Sequence, residues 1–271
     1  MKKVAVFIII LLMLFSFTAC MGGYVFSFCW DLMSDRHNKP IVSTVNEYLT
    51  NNTLSDEYEL TIFNLKEDPQ NEDNLTIESL DVIKTKTSQE FLYTEEKSLV
   101  DEDTTDYKPG DLYTNAKYFD GKKIYYYDGL TKKITSENAE WEDYDYDKIP
   151  DIIRSNIKEI IAKVKVKDIS HFIDDPESDD LNYQITITYD EKQINKLKIF
   201  DGEVTYFEIY IMTNKDVTEI GNIIVTFAVD TNNYTVIFGK IEKSPDEITL
   251  KEQFDCLKYE NDYDDYDEYE E

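Results

Sequence analysis

The sequence predicts an α+β fold: one long, mostly antiparallel, curved β-sheet with a few covering helices. Three observations predict it. Apolar and polar residues alternate with a period of two in many short runs between Glu57 and Ile241. Asp-Gly pairs stand between several of those runs, at 120–121, 128–129 and 201–202, where hairpins turn. A single strongly helical period interrupts the strands mid-chain, between Asp147 and Val164.

In order, a short amphipathic helix comes first, near Lys39 to Leu49. Pro40 suits its first turn, and Ile41, Val42, Val45, Tyr48 and Leu49 share one face. Strands follow at Glu57–Leu65, Leu75–Lys86 and Glu90–Val100. A meander comes next: Tyr113–Phe119, Lys122–Tyr127 and Thr131–Thr135, joined by Asp120-Gly121 and Asp128-Gly129. Asp-Gly favours the type I′ turn, which needs φ > 0 at both central positions. The central helix, with Asp147 as N-cap and Pro150 in its first turn, places Ile153, Ile157, Ile160 and Ile161 on one stripe. So much isoleucine has modest helix propensity, so this helix is expected to lie across the sheet and be held by packing. Tyr183–Tyr189 alternates cleanly, and Ile194–Phe200 is expected to pair with Glu203–Met212 through Asp201-Gly202. Glu203–Met212 is apolar on both faces, so its second face is expected to meet something. Asn222–Val229 and Tyr234–Ile241 form the last pair, and Ser244-Pro245-Asp246-Glu247 reads as the capping box of a helix running to Leu257.

Composition narrows function. The 271 residues carry 28 basic and 57 acidic side chains, a net charge of −29. That balance excludes nucleic acid as a partner, because phosphate binding needs clustered Lys and Arg. No Gly-rich phosphate loop occurs, and two His leave little for a His-ligated metal or a Ser/His/Asp site. No cofactor and no catalysis are expected. An aromatic content of 14% demands a real core.

The N-terminus supplies an address. Met1-Lys2-Lys3 precedes an uncharged run from Val4 to Ala19, the charged and apolar regions of a secretory signal. The run ends Phe17-Thr18-Ala19-Cys20. This resembles the lipobox of bacterial lipoproteins, with Phe17 where Leu is usual. The resemblance implies cleavage before Cys20, acylation of Cys20 with palmitate-type chains, and a domain held at the outer side of the cell membrane. Acyl chains contribute about 0.8 kcal/mol per buried CH₂, enough for two or more to anchor a soluble domain. Met21 to Trp30 is also apolar, which leaves open an uncleaved anchor from Val4 to Trp30, longer than the ~20 residues that span a bilayer. Ordinary secretion is the third reading, and all three put the domain outside the cytoplasm. The organisation expected is a signal peptide (1–19), an anchored linker (20–38), one β-rich domain (39–258) and a disordered acidic tail (259–271). With Cys20 lipidated, Cys29 and Cys256 remain, either as a disulfide or as two independent thiols.

Helix, antiparallel strands, the aromatic meander DGKKIYYYD at Asp120–Asp128, a helix and further strands, all behind a lipobox, resemble the LolA-like lipoproteins. The resemblance covers about Lys39 to Lys243. It implies a half-barrel whose helices close the concave side over an apolar cavity that takes lipid. The first function expected is therefore an envelope lipoprotein that binds an apolar or amphipathic ligand. The alternative is a structural or protein-interaction lipoprotein with a filled core.

Other clusters read as ordinary. Asp143-Tyr144-Asp145-Tyr146-Asp147 starts like a calcium loop, but Lys148 replaces the required Gly and Arg154 the required Glu. It reads instead as a solvated acidic approach to a helix N-terminus. Asp174, Asp175, Glu177, Asp179 and Asp180 read as a solvated loop. Ser170, His171 and Asp174 lack a nucleophile elbow, so His171 is expected in a loop or at a strand edge. His37 has no visible partner. Residues Glu260–Glu271 hold eight acids, with Tyr263, Tyr266 and Tyr269 between them, a solubilising end.

Overall fold

The structure, a computed structural model, describes residues 43, 46–51, 54–68, 71–98, 112–173, 183–214, 220–239, 241 and 248–257. The signal, Cys20, the linker with Cys29 and His37, the 174–180 acidic cluster and the tail lie outside the described residues. Residues 1–51 and 52–271 form separate compact units. In the first, positions 43 and 46–51 are helical, within and just beyond the expected Lys39–Leu49.

The second unit is built on one antiparallel sheet. Its first half is a meander: β1 (Tyr58–Asp68), β2 (Asn71–Lys84), β3 (Gln89–Ser98), β4 (Leu112–Phe119), β5 (Lys123–Asp128) and β6 (Lys133–Asn138). A 3₁₀ turn at Trp141–Asp143 and helix α1 (Lys148–Lys163) then cross to the other half. That half contains β7 (Val166–Ile173), β8 (Tyr183–Tyr189), helix α2 (Glu191–Leu197), β9 (Val204–Thr213), β10 (Ile220–Val229) and β11 (Asn232–Phe238). Helix α3 (Leu250–Cys256) follows. The spatial order is β6-β5-β4-β3-β2-β1-β11-β10-β9-β8-β7. Each half pairs only with its sequence neighbours, and β1 against β11 joins the two, with Leu60 opposite Val236.

The single sheet is as expected, and its topology explains the helix. The chain leaves β6 at one edge and must reach β7 at the other. A flat sheet of eleven strands would be about 48 Å wide, and α1's sixteen residues rise about 24 Å. The strand-to-strand twist coils such a sheet rather than leaving it flat, and the crossing segment lies on one face, here the inner one.

An apolar row crosses that face from β5 to β8. Directly paired residues share a face, and one row runs Ile124–Phe119–Phe91–Val82–Leu60–Val236–Val225–Ile209–Ile187, every member buried. Ile153, Ile157 and Ile160 of α1 are fully buried over it, with Pro150 and Val164. The Arg154 guanidinium sits 5.8 Å from the ring centres of both Tyr58 and Phe238, which registers α1 on β1 and β11. Ile161, expected in the buried stripe, is only half-buried. It falls at the stripe's flank, one residue beyond Ile160. The outer face is covered over one half only, where Leu250 and Phe254 of α3 pack with Ile83, Leu92, Ala116, Tyr118 and Tyr127.

Several expectations need correction. The segment 194–200 is not a strand: α2 runs through Leu197, capped by Asp190, whose side chain accepts the Gln193 N–H. A good N-cap followed by the helix formers Glu191, Lys192 and Gln193 outweighs the apolar alternation of Ile194–Phe200. Asp201-Gly202 consequently joins a helix to β9, not two strands. At Asp120-Gly121 only Gly121 has positive φ (90°), so the turn is not type I′. The Asp120 carboxylate sets it by accepting the N–H groups of Lys122 and Lys123 at 2.9 and 2.8 Å. The β5–β6 loop is longer than a two-residue turn and takes its positive φ at Lys132 (54°) rather than at Gly129. Helix α3 is capped by the box Thr249/Glu252, while Ser244–Glu247 lies outside the described residues. Strand β7, not anticipated as a strand, forms the sheet edge and carries His171, in keeping with its expected edge position. Finally, β9's second face is not covered by an apolar layer: Phe207, Ile209 and Ile211 are buried inward, while Tyr206 is exposed and Glu208, Tyr210 and Met212 are half-exposed outward.

Truncating the centre of the helix stripe tests the crossing. Ile157→Ala is expected to cost about 2–5 kcal/mol, as cavity-forming truncations do. Urea unfolding of both proteins measures it, and a loss under about 0.5 kcal/mol, the size of a surface effect, would refute the packing described.

Candidate functional site

The Asp147 carboxylate joins three separate elements. It accepts hydrogen bonds from the Tyr58 hydroxyl (2.6 Å), the Lys84 ammonium (2.7 Å) and the Trp141 indole N–H (3.2 Å). These partners come from β1, β2 and the 3₁₀ turn. Lys84 also lies 5.8 and 5.9 Å from the Tyr58 and Trp141 ring centres, a cation over aromatic faces. Burial alone would raise the pKa of Asp147, but the bonds from Lys84, Tyr58 and Trp141 outweigh it and hold the carboxyl below its ordinary value. Burial, and then the bond to Asp147, push the Tyr58 hydroxyl far upward, so it stays protonated as a donor. Held by donors from three elements, this knot is structural.

It also revises the reading of Asp143–Asp147. Asp147 occupies the N-cap position of α1 but makes no capping bond, because its side chain is engaged by β1 and β2. The other acids turn elsewhere: Asp143 accepts the Glu140 N–H, and Asp145 pairs with Lys148. The three carboxylates do not converge as a calcium shell requires. Tyr144 and Tyr146 stack on each other and meet the Phe91 ring edge-on at 4.7 and 5.0 Å.

Two polar rows cross the sheet that no local motif announces, because each member stands on a different strand. On the inner face, Asn232, Asn64, Glu78, Glu95 and Asn115 are consecutive partners on β11, β1, β2, β3 and β4. Glu78 pairs with Lys66 (2.6 Å) and Glu95 with Lys97 (2.8 Å). The Lys97 ammonium holds Glu95 below the usual carboxylate range, and burial pushes nearby Tyr93 up to about 12. Asn64 is 5% exposed, and its side-chain oxygen has no hydrogen-bond partner. On the outer face, Asp168, Thr188, Glu208, Thr226, Thr235, Thr61 and Asp81 form a line across seven strands. A third feature is a polar cleft of about 490 Å³ beside the 3₁₀ turn, lined by Gln89, Lys122, Asn138, Glu140 and Trp141 among others.

Of the remaining sequence candidates, Cys256 and Ser170 lie among the described residues. Cys256 is an exposed free thiol at the end of α3. Ser170 lies on edge strand β7. Among the described residues no group of three or more His, Cys, Asp and Glu could hold a metal ion, and no helix is long and apolar enough to cross a membrane.

No protein-family model and no curated protein matches the chain. Among solved structures, an uncharacterized conserved protein from Thermus thermophilus is 11% identical, with a TM-score of 0.22 over 74% of this chain and 88% of its own. A domain described as an outer membrane lipoprotein-sorting protein, from Vibrio parahaemolyticus, is 9% identical, with a TM-score of 0.21 over 80% of this chain and 97% of its own. These scores are too low to assign a fold, which rests here on the strand registers.

Removing the charge at the knot has a signed pH consequence. A carboxyl whose folded pKa is depressed stabilises the fold fully above its unfolded pKa of about 3.9, and that stability is lost as pH falls through the folded value. Asp147→Asn is expected to cost about 1–3 kcal/mol near neutrality, as loss of a charged hydrogen-bond acceptor does. The difference in melting temperature from wild type should shrink as both are acidified below about pH 4. A pH-independent difference would refute the charge account.

Proposed function

We propose that the chain is a non-catalytic binding protein of the bacterial envelope, held by lipid on Cys20, that works through its outer surface. The observation that carries this reading is the filled inner face. Across nine strands the central row is buried, and the isoleucine stripe of α1 is fully buried against it. A packed interior of this kind resembles a domain core more than a ligand pocket. The cleft beside the 3₁₀ turn is polar and lies at a hairpin end. The lipid address rests on the sequence Phe17-Thr18-Ala19-Cys20 behind its apolar run.

One observation favours the other reading, capture of an amphipathic ligand on the inner face. Beyond the apolar row, Asn64 keeps an unpartnered acceptor within a line of amides and carboxylates. A ligand donating an N–H or O–H there would remove the cost of a buried polar atom without a partner.

Native mass spectrometry of the full-length protein, released from membranes in detergent, separates the two. The expected spectrum shows the lipidated chain with no further adduct. A stoichiometric co-purifying lipid would establish ligand capture and overturn the surface reading. For the anchor, Cys20→Ser is expected to abolish uptake of labelled fatty acid and to leave the full precursor. Equal labelling of wild type and variant would refute lipidation. Membrane retention without labelling of either would identify the segment Val4–Trp30 as an uncleaved helix.

A further inference from the structure

Three carboxylates on the inner side meet lysine: Glu78 with Lys66, Glu95 with Lys97, and Asp147, at the start of α1, with Lys84 of β2. Two on the outer face are held by hydroxyls instead. Asp81 accepts from the Thr61 and Ser79 hydroxyls at 2.8 and 3.4 Å, and Glu208 from the Thr188 and Tyr210 hydroxyls. Neutral hydroxyls orient these carboxylates but leave their charge uncompensated. Asp168 completes the line at the β7 edge, opposite Thr188. Among the described residues, the rows on either side hold Ser79, Phe63, Asn233, Ala228 and Tyr206 on one, and Ile83, Glu59, Ile237, Ile224, Tyr210 and Thr186 on the other, with a further carboxylate at Glu59 and no base in either row.

This negative line is flanked by apolar surface. Phe63, Leu65 and Tyr206 are 40%, 44% and 36% exposed on the same face, on the half of the sheet that α3 leaves uncovered. We propose that this outer face, from β2 through β1 to β7, docks a basic polypeptide segment whose Lys or Arg side chains meet Asp81, Glu208 and Asp168. Its apolar residues would lie along Phe63, Leu65 and Tyr206. Charge complementarity selects the partner. Three carboxylates with no basic partner among the described residues, set beside exposed apolar groups, repel anionic surfaces and attract a cationic, partly apolar chain. The geometry sets a spacing: Glu208 and Asp81 stand four strands apart, about 19 Å, and Glu208 and Asp168 two strands apart, about 10 Å.

The inference rests on the surface reading above, yet the two fail separately. Co-purified lipid overturns that reading, whereas the binding test below overturns only the docking face. The probe is a short fluorescein-labelled peptide of alternating lysine and leucine, titrated by anisotropy with the full-length protein in detergent at physiological salt. The triple variant Asp81→Asn, Glu208→Gln and Asp168→Asn is expected to bind about tenfold more weakly. A control triple, Glu142→Gln, Asp201→Asn and Glu203→Gln, removes the same charge away from the outer row and should stay within about twofold. Equal weakening by both would show attraction to the protein's overall charge and overturn the proposal, as would no weakening by the first. Melting temperatures check that both triples fold. If the first does not, Phe63→Ser with Leu65→Ser provides the second arm: a loss that persists at high salt is expected, and unchanged affinity overturns the proposal.

Discussion

The carboxylate of Asp147 ties the middle of the sheet to the segment that crosses it. Tyr58 and Lys84 belong to β1 and β2, next to the seam where the two halves meet, and Trp141 belongs to the turn that launches the crossing. A meander of eleven strands has little to hold its far edges together, because each strand pairs only with its neighbours. The crossing segment is the long-range connection between β6 and β7, and its start is registered at this knot. Arg154, seven residues on, repeats the registration over Tyr58 and Phe238. Between these points the isoleucines of α1 need supply only burial.

Burial and charge then divide the sheet into two faces with different duties. The inner face accumulates an uninterrupted apolar row from β5 to β8, and Glu78, Glu95 and Asp147 on that side carry lysine partners. Pairing lowers the cost of keeping a carboxylate partly buried. The outer face keeps its carboxylates half-exposed, where hydroxyl partners suffice. Part of the protein's large negative charge is thus displayed on an ordered surface.

The tyrosines, abundant at 21 residues, serve both faces. Tyr144 and Tyr146 close the aromatic cluster over Phe91, and Tyr58 donates into the knot. Tyr118 and Tyr125 stack around Phe254 under α3. Tyr189 is buried with its hydroxyl unpartnered, a cost the surrounding packing must offset. On the outer face, Tyr206 and Tyr210 bond Asn233 and Glu208 and lay their rings along open sheet. An aromatic ring with a polar tip suits both a half-buried strand and a wet interface.

The sequence by itself determined the secondary structure of most of the domain, and for a physical reason. Period-two alternation and the isoleucine stripe are local consequences of which side of an element meets water, so Tyr58–Leu60, Tyr183–Tyr189 and Ile153–Ile160 were legible from spacing alone. Local signals in competition were less legible: Ile194–Phe200 alternates like a strand, and only the Asp190 cap turned it into α2. The rows of polar residues, the bases that pair with inner acids, and the knot at Asp147 were decided by tertiary structure. At the knot Tyr58 and Lys84 stand 89 and 63 residues from Asp147, and the members of the rows are on separate strands. Such groups meet only when register is fixed across many strands, and register is a property of the whole sheet, not of any stretch of chain.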